Sequence, residues 1–158
     1  MNAKIKQTNE AYQFCSFKIA ERYFAVNLLD LREVCQDVEI TPIYHSPDSV
    51  RGYMNIRGQI HLVLDLRVIL GYPSNVSKKA QNVIIFKQHV GDHFGILVDK
   101  INGVETVENE SIEEYHQVAS QSGIVSQSQD LYSSVCKLED KLMVILESKH
   151  LLSTIQEF

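Results

Sequence analysis

At 158 residues, 44% hydrophobic and 22% charged, the chain has the size and mix of one soluble globular domain, enough to bury about 70% of the surface its unfolded form exposes. A formal net charge of −5, with 15 basic residues scattered along the chain, argues against nucleic acid as the main partner, because phosphate recognition needs clustered positive charge. With no run of about 18 uncharged apolar residues and no basic-then-apolar start, neither a membrane span nor a secretory leader is expected, and the expected compartment is the cytoplasm.

Residues 1–10 are polar with few apolar anchors and are predicted to form a flexible tail. Alternation of Cys15, Phe17 and Ile19 predicts a strand, and residues 20–22 turn it into a second over 23–26. Asn27 is a plausible helix N-cap. Leu28, Leu31 and Val34 follow at helical spacing, which predicts a helix of about two turns with Glu33 on its flank. The chain then extends over 38–43, with Pro42 placing that segment at a strand edge or end, and Ser46-Pro47-Asp48 reads as a turn.

The most informative passage runs from Arg51 to Gly71. Gly52 and Gly58 bracket a short run and mark sharp turns or close backbone approaches. Ile60, Leu62 and Leu64 recur with the period of a strand whose one face is buried, and Val63 implies partial cover on the other. Asp65 is placed to cap a short helix bearing Leu66, Ile69 and Leu70, which Gly71 and Tyr72-Pro73 end. Arg57 sits in the tight loop between Ile56 and Gly58. Its residue type and place leave two readings open: a surface arginine paired with a nearby carboxylate, or a guanidinium held on a rigid turn to fork onto a partner's carboxylate or carbonyl groups.

After a polar link over 74–81, the run Val83-Ile84-Ile85-Phe86 predicts a strand covered on both faces, and 94–98 returns as its partner beyond the turn Val90-Gly91-Asp92. Residues 101–107 continue around Asn102-Gly103, a strong turn pair. Residues 108–114 read as a loop and the polar stretch 117–130 as a mobile insertion. Segments 131–138 and 142–146 form a last hairpin, and Ser148 is placed to cap a terminal helix bearing Leu151, Leu152 and Ile155. Some nine or ten short strands with two or three short helices predict a mainly β barrel or sandwich.

Chemistry is hard to find in this pattern. Cys15, Cys35 and Cys136 are an odd set without a C-x-x-C pair, and read as small buried side chains rather than a disulfide or zinc framework. The six histidines are dispersed, and His89 and His93, four apart, flank a predicted turn rather than share a helix face. There is no Gly-rich phosphate loop and no convergent nucleophile and base, so no catalysis, no metal and no cofactor is expected.

Gly52, Asn55, Ile56, Arg57 and Gly58, followed by Asp65, Leu66, Arg67 and Gly71, resemble the signature passage of the CheW family of bacterial chemotaxis adaptors. The stretch from Phe94 to Asp99 is similar to a second family passage, and the likeness extends over nearly the whole chain. The resemblance implies one domain over 11–153, built as two SH3-like five-stranded barrels sharing a core, with 154–158 as a helix end. It also implies a non-catalytic adaptor that couples the cytoplasmic tip of a chemoreceptor to the histidine kinase CheA through the kinase's own CheW-like regulatory domain, recruited to membrane-associated receptor arrays without entering the membrane. By the same resemblance Arg57, Asn55, Gly58, Leu31 and Glu33 would lie near a receptor-facing groove, with Ile84 as an apolar contact. On pattern alone Leu31 and Ile84 fit a core, Glu33 a solvated flank, and Asn55 and Gly58 the shaping of a turn. Two other functions stay open: an adaptor of a non-chemotactic pathway, such as pilus motility or second-messenger signalling, and a small-ligand-binding β-barrel.

Overall fold

The computed structural model describes residues 11–74, 81–115 and 131–155, so the expected tail over 1–10 and the insertion over 117–130 lie outside the described residues. Eleven strands form two sheets among these residues. The first is ordered β8-β1-β2-β11-β10-β9, from β1 (Ala11–Ile19), β2 (Arg22–Asn27), β8 (Lys100–Glu108), β9 (Ile112–Glu114), β10 (Tyr132–Leu138) and β11 (Lys141–Leu146). The second is ordered β3-β6-β7-β5-β4, from β3 (Leu31–Cys35), β4 (Val50–Ile56), β5 (Gln59–Asp65), β6 (Asn82–Phe86) and β7 (Phe94–Val98). One short helix, α1 (Leu66–Ile69), follows β5. No helix among the described residues is long and apolar enough to cross a membrane.

The order along the chain explains why the two barrels form one body. The chain leaves the first sheet after β2, builds the whole second sheet, and returns for β8 to β11, so the second barrel is inserted into the first. A parallel pairing links chain-distant strands in each sheet, β2 with β11 and β5 with β7. Each barrel has its own filling. Phe14, Ala25, Val107, Cys136, Met143 and Ile145 pack the first, and Met54, Ile56, Val63, Val83 and Ile85 the second. A third, larger cluster joins them, drawing Cys15, Phe17, Phe24 and Val26 from the first sheet and Leu64, Ile84, Phe86, Phe94 and Ile96 from the second. Strands covered on both sides therefore read as unbroken apolar runs, as β6 does with four buried residues in five.

Local expectations fail where long-range pairing overrides them. The helix predicted through Leu28, Leu31 and Val34 is only a single 3₁₀ turn, Leu28–Asp30, capped by Asn27, whose side chain accepts from the Leu29 N–H at 2.9 Å. From Leu31 onward the chain pairs with β6 instead, because Leu31 and Val34 gain more from a neighbouring strand than from two isolated helical turns. Asn102-Gly103 is no turn either. It lies inside β8, where Gly103 (φ 139°) opposes Ser16 at a bulge in the β1 pairing. The terminal helix is two 3₁₀ turns, Ser148–His150 and Leu152–Thr154, and Ser148 is a buried residue of the first rather than its cap. The first sheet has six strands because Ile112–Glu114, expected as loop, pairs with β10. The other hairpins stand as predicted, and Ala20 and Glu21 both adopt positive φ in the two-residue β1–β2 turn.

Candidate functional site

The passage from Arg51 to Gly71 folds as β4, a two-residue turn, β5 and α1. Arg57 (φ 49°) and Gly58 (φ 85°) form the turn, both in the left-handed region that matches the twist of the flanking strands. Asn55 Oδ1 accepts the Gly58 N–H at 2.9 Å and fastens it. Further back, Gly52 (φ 149°) lies where β4 meets Thr41, and a Cβ there would stand 2.0 Å from the Thr41 carbonyl oxygen. That closeness permits Thr41 and Tyr53 to exchange two 2.8 Å backbone bonds, which tie the segment after β3 to β4.

Arg57 and Glu33 meet. The guanidinium Nη2 lies 2.5 Å from Glu33 Oε1, so the tip of the β4–β5 hairpin is pinned to β3 although these are opposite edges of the second sheet. Arg32 Nε stands 3.9 Å from the same oxygen, and Cys35 Sγ–H donates to Glu33 Oε2 at 3.8 Å. The hydrogen bond from Arg57 holds the Glu33 carboxyl below its usual range, and the same bond raises Arg57 further. With the Arg57 side chain 66% exposed, this is a surface pair whose guanidinium still faces solvent. Leu31 is half-buried and packs on the shared core. Ile84 is 0% exposed, pairs with Val34 and Ile96, and belongs to the shared core, so it offers no surface contact, contrary to the expectation from resemblance.

Beside these residues the surface carries apolar side chains that the sequence pattern did not single out as exposed. Ile60, expected inside, is 52% exposed across the hairpin from Asn55, and Val34 is 37% exposed beside Glu33. Ile60 shares the face of Leu62 and Leu64 but lies beyond the edge of the shared core, while the other face, His61 and Val63, turns into the second barrel. His61 is 1% exposed, and a histidine between two apolar strand residues was the available signal for it.

The far end of the passage is a clamp. Asp65 caps α1 by accepting the Arg67 N–H at 3.1 Å, and also accepts from Arg51 at 3.2 Å and from the Ser74 hydroxyl at 2.9 Å. Arg67 forms an ion pair with Asp99 and donates from Nε to the Pro73 carbonyl at 2.8 Å. Asp99 stands where the chain crosses from β7 to β8, and its carboxylate accepts the Ala20 N–H at 2.8 Å. The Asp-Leu-Arg run and the segment ending at Asp99 are thus one interlock between the barrels.

Burial pushes the thiols of Cys15, Cys35 and Cys136 up, away from the reactive thiolate. His89 bonds to Asp30 at 2.9 Å, while the His93 ring stands edge-on to His61 with centroids 5.1 Å apart. Among the described residues no group of three His, Cys, Asp or Glu is placed to hold a metal ion.

The family model described as the CheW-like domain matches residues 13–156. The chain belongs to the CheW-like family. A Rhizobium etli relative named probable chemotaxis protein CheW is 30% identical over 121 residues, covering 76% of this chain and 77% of its own. The chemotaxis protein CheW of Rhizobium meliloti is 29% identical over 119 residues, covering 75% and 76%. Among solved structures, the scaffolding protein TtCheW of Thermoanaerobacter tengcongensis matches with a TM-score of 0.74 and 26% identity, over 87% of this chain and 89% of that one. The two-barrel architecture is therefore that of a CheW scaffold, and the chain is a chemotaxis scaffold of this family.

Proposed function

We propose that this CheW-like chain works by binding alone, joining the cytoplasmic tip of a chemoreceptor to the regulatory domain of the histidine kinase CheA. It catalyses nothing, and it is a cytoplasmic protein drawn to membrane-associated arrays by its partners. The observation that carries this reading is Arg57. A guanidinium on a fastened turn, pinned by Glu33 yet open to solvent, is a rigid cationic handle at one end of a family scaffold. Asn55 and Gly58 serve it by holding the turn, and Glu33 by holding the guanidinium. The half-exposed Ile60 and Val34 supply apolar surface nearby, which suits a helical partner carrying both acidic and apolar groups.

A stiff body couples two partners only if both can be seated at once. The test is a calorimetric titration of the chain against the CheW-like regulatory domain of the CheA kinase from the same genome, followed by addition of a receptor-tip fragment. Saturable one-to-one binding that survives the fragment is expected. No binding to that kinase domain would overturn the reading, and a thermal shift with a metabolite instead would favour the ligand-binding alternative.

A further inference from the structure

His61 lies inside the mouth of the second barrel, on the face of β5 that carries Val63, opposite Met54 of β4. Its Nδ1 stands 3.2 Å from the Gln59 carbonyl, and since a carbonyl only accepts, the neutral ring carries its proton on Nδ1. Nε2 is then a bare acceptor, and it is buried with no hydrogen-bond partner among the described residues. His93, before β7, stands edge-on to the ring with centroids 5.1 Å apart, and β3 brings Glu33 opposite the barrel-lining Ile85, with Arg32 next to it in the chain; all three act on the ring electrostatically. Glu33 is the carboxylate in that set, and it is the group already engaged by Arg57.

We propose that His61 is a proton-operated release for the hairpin tip: when Nε2 takes up a proton, Glu33 turns from Arg57 to the new buried cation, and the β4–β5 turn is unfastened from β3. A buried imidazolium needs a counter-charge, and Glu33, opposite Ile85 and bonded to Cys35, shares the inner face of the second barrel with those residues and with Val63, two along β5 from His61. Burial pulls His61 below its ordinary 6.5, with His93 and Arg32 acting the same way and the Gln59 carbonyl and Glu33 opposing. The unfolded chain therefore binds the proton first. The stability due to the neutral ring is complete above that ordinary value and falls as pH drops through the window beneath it. A consequence for partners rests on the adaptor reading above: an unfastened Arg57 is no longer rigidly presented, so acidification weakens receptor engagement.

The experiment follows the Arg57 Nε–Hε resonance of the full chain by NMR from about pH 7.5 to 5, above the range in which Glu33, itself held low, takes up a proton. A step with its midpoint below the free-histidine value of 6.5 is expected, retained in His93→Gln and lost in His61→Leu. Glu33→Gln guards against a misfolded His61 variant, since it should abolish the step at Arg57 while the His61 ring signals still titrate. A flat Arg57 signal, or a step that persists in His61→Leu, would overturn the proposal. Titrating the receptor-tip fragment at both ends of the range separates the two readings: several-fold weaker binding at low pH in the native chain only supports both, whereas no binding at either pH overturns the adaptor reading and leaves the release mechanism to the NMR result.

Discussion

Arg51 and Arg67 stand at the foot of the β4–β5 hairpin and Arg57 at its tip, three arginines in one short passage, each matched to an acid, in opposite surroundings. At the foot, Arg51 is 17% and Asp65 3% exposed, and with Arg67 and Asp99 they lock α1, the β1–β2 turn and the crossing into β8 together. At the tip, Arg57 reaches back to Glu33 across the mouth of the second barrel and remains open to water. Sequence spacing treats the three alike. What separates them is the burial of the guanidinium, 17% exposed in Arg51 and 19% in Arg67 against 66% in Arg57, because a pair held away from water costs far more to break than one open to it. The foot is thus a structural lock and the tip a presented charge, and substitutions at each should differ in kind.

The largest effect is expected next to the foot, at Gly52. Alanine there would drive its Cβ to 2.0 Å from a backbone oxygen, at a φ of 149° that side chains resist, and backbone cannot swing aside as a flexible side chain would. Gly52→Ala should destabilise by about 2–4 kcal/mol, read as a loss of denaturation midpoint with unchanged slope. A loss under about 0.5 kcal/mol would mean that the Thr41–Tyr53 closure is soft. Second comes Asp65. Asp65→Ala removes the α1 cap and the carboxylate that takes Arg51 and Ser74, for about 2–4 kcal/mol, whereas Asp65→Asn keeps an acceptor for the cap and should cost less. Equal losses from the two would assign the whole effect to charge.

The same contrast explains what could be read in advance. Asp65 as a cap, Gly58 and Gly71 as turn positions and β6 as a doubly covered strand are local statements, and local chemistry settles them. The meeting of Arg67 with Asp99, 32 residues apart, and of Arg57 with Glu33, 24 apart, depends on which strands close each barrel, and no periodicity carries that. Leu28, Leu31 and Val34 fit a helix over only seven residues, too short a window to outweigh pairing with β6. Ile84 was offered as a contact by resemblance and is core, as its apolar run alone allowed, because it stands on β6 within the cluster that joins the second barrel to the first.

The smallest effect on stability, and the most informative one on function, belongs to the tip. Arg57→Glu sets two carboxylates face to face in place of the pair, but at an exposed site, so the thermal midpoint should hardly move while binding of the receptor-tip fragment falls by an order of magnitude or more. A large midpoint loss with binding retained would make Arg57 structural. Adding Glu33→Arg to Arg57→Glu then separates the remaining two meanings of lost binding. If the pair matters only by fastening the hairpin to β3, the swapped charges fasten it again and binding returns. If the guanidinium at the turn is itself what the partner meets, the swapped chain keeps its fold and its fastening but presents a carboxylate at position 57, and binding stays lost.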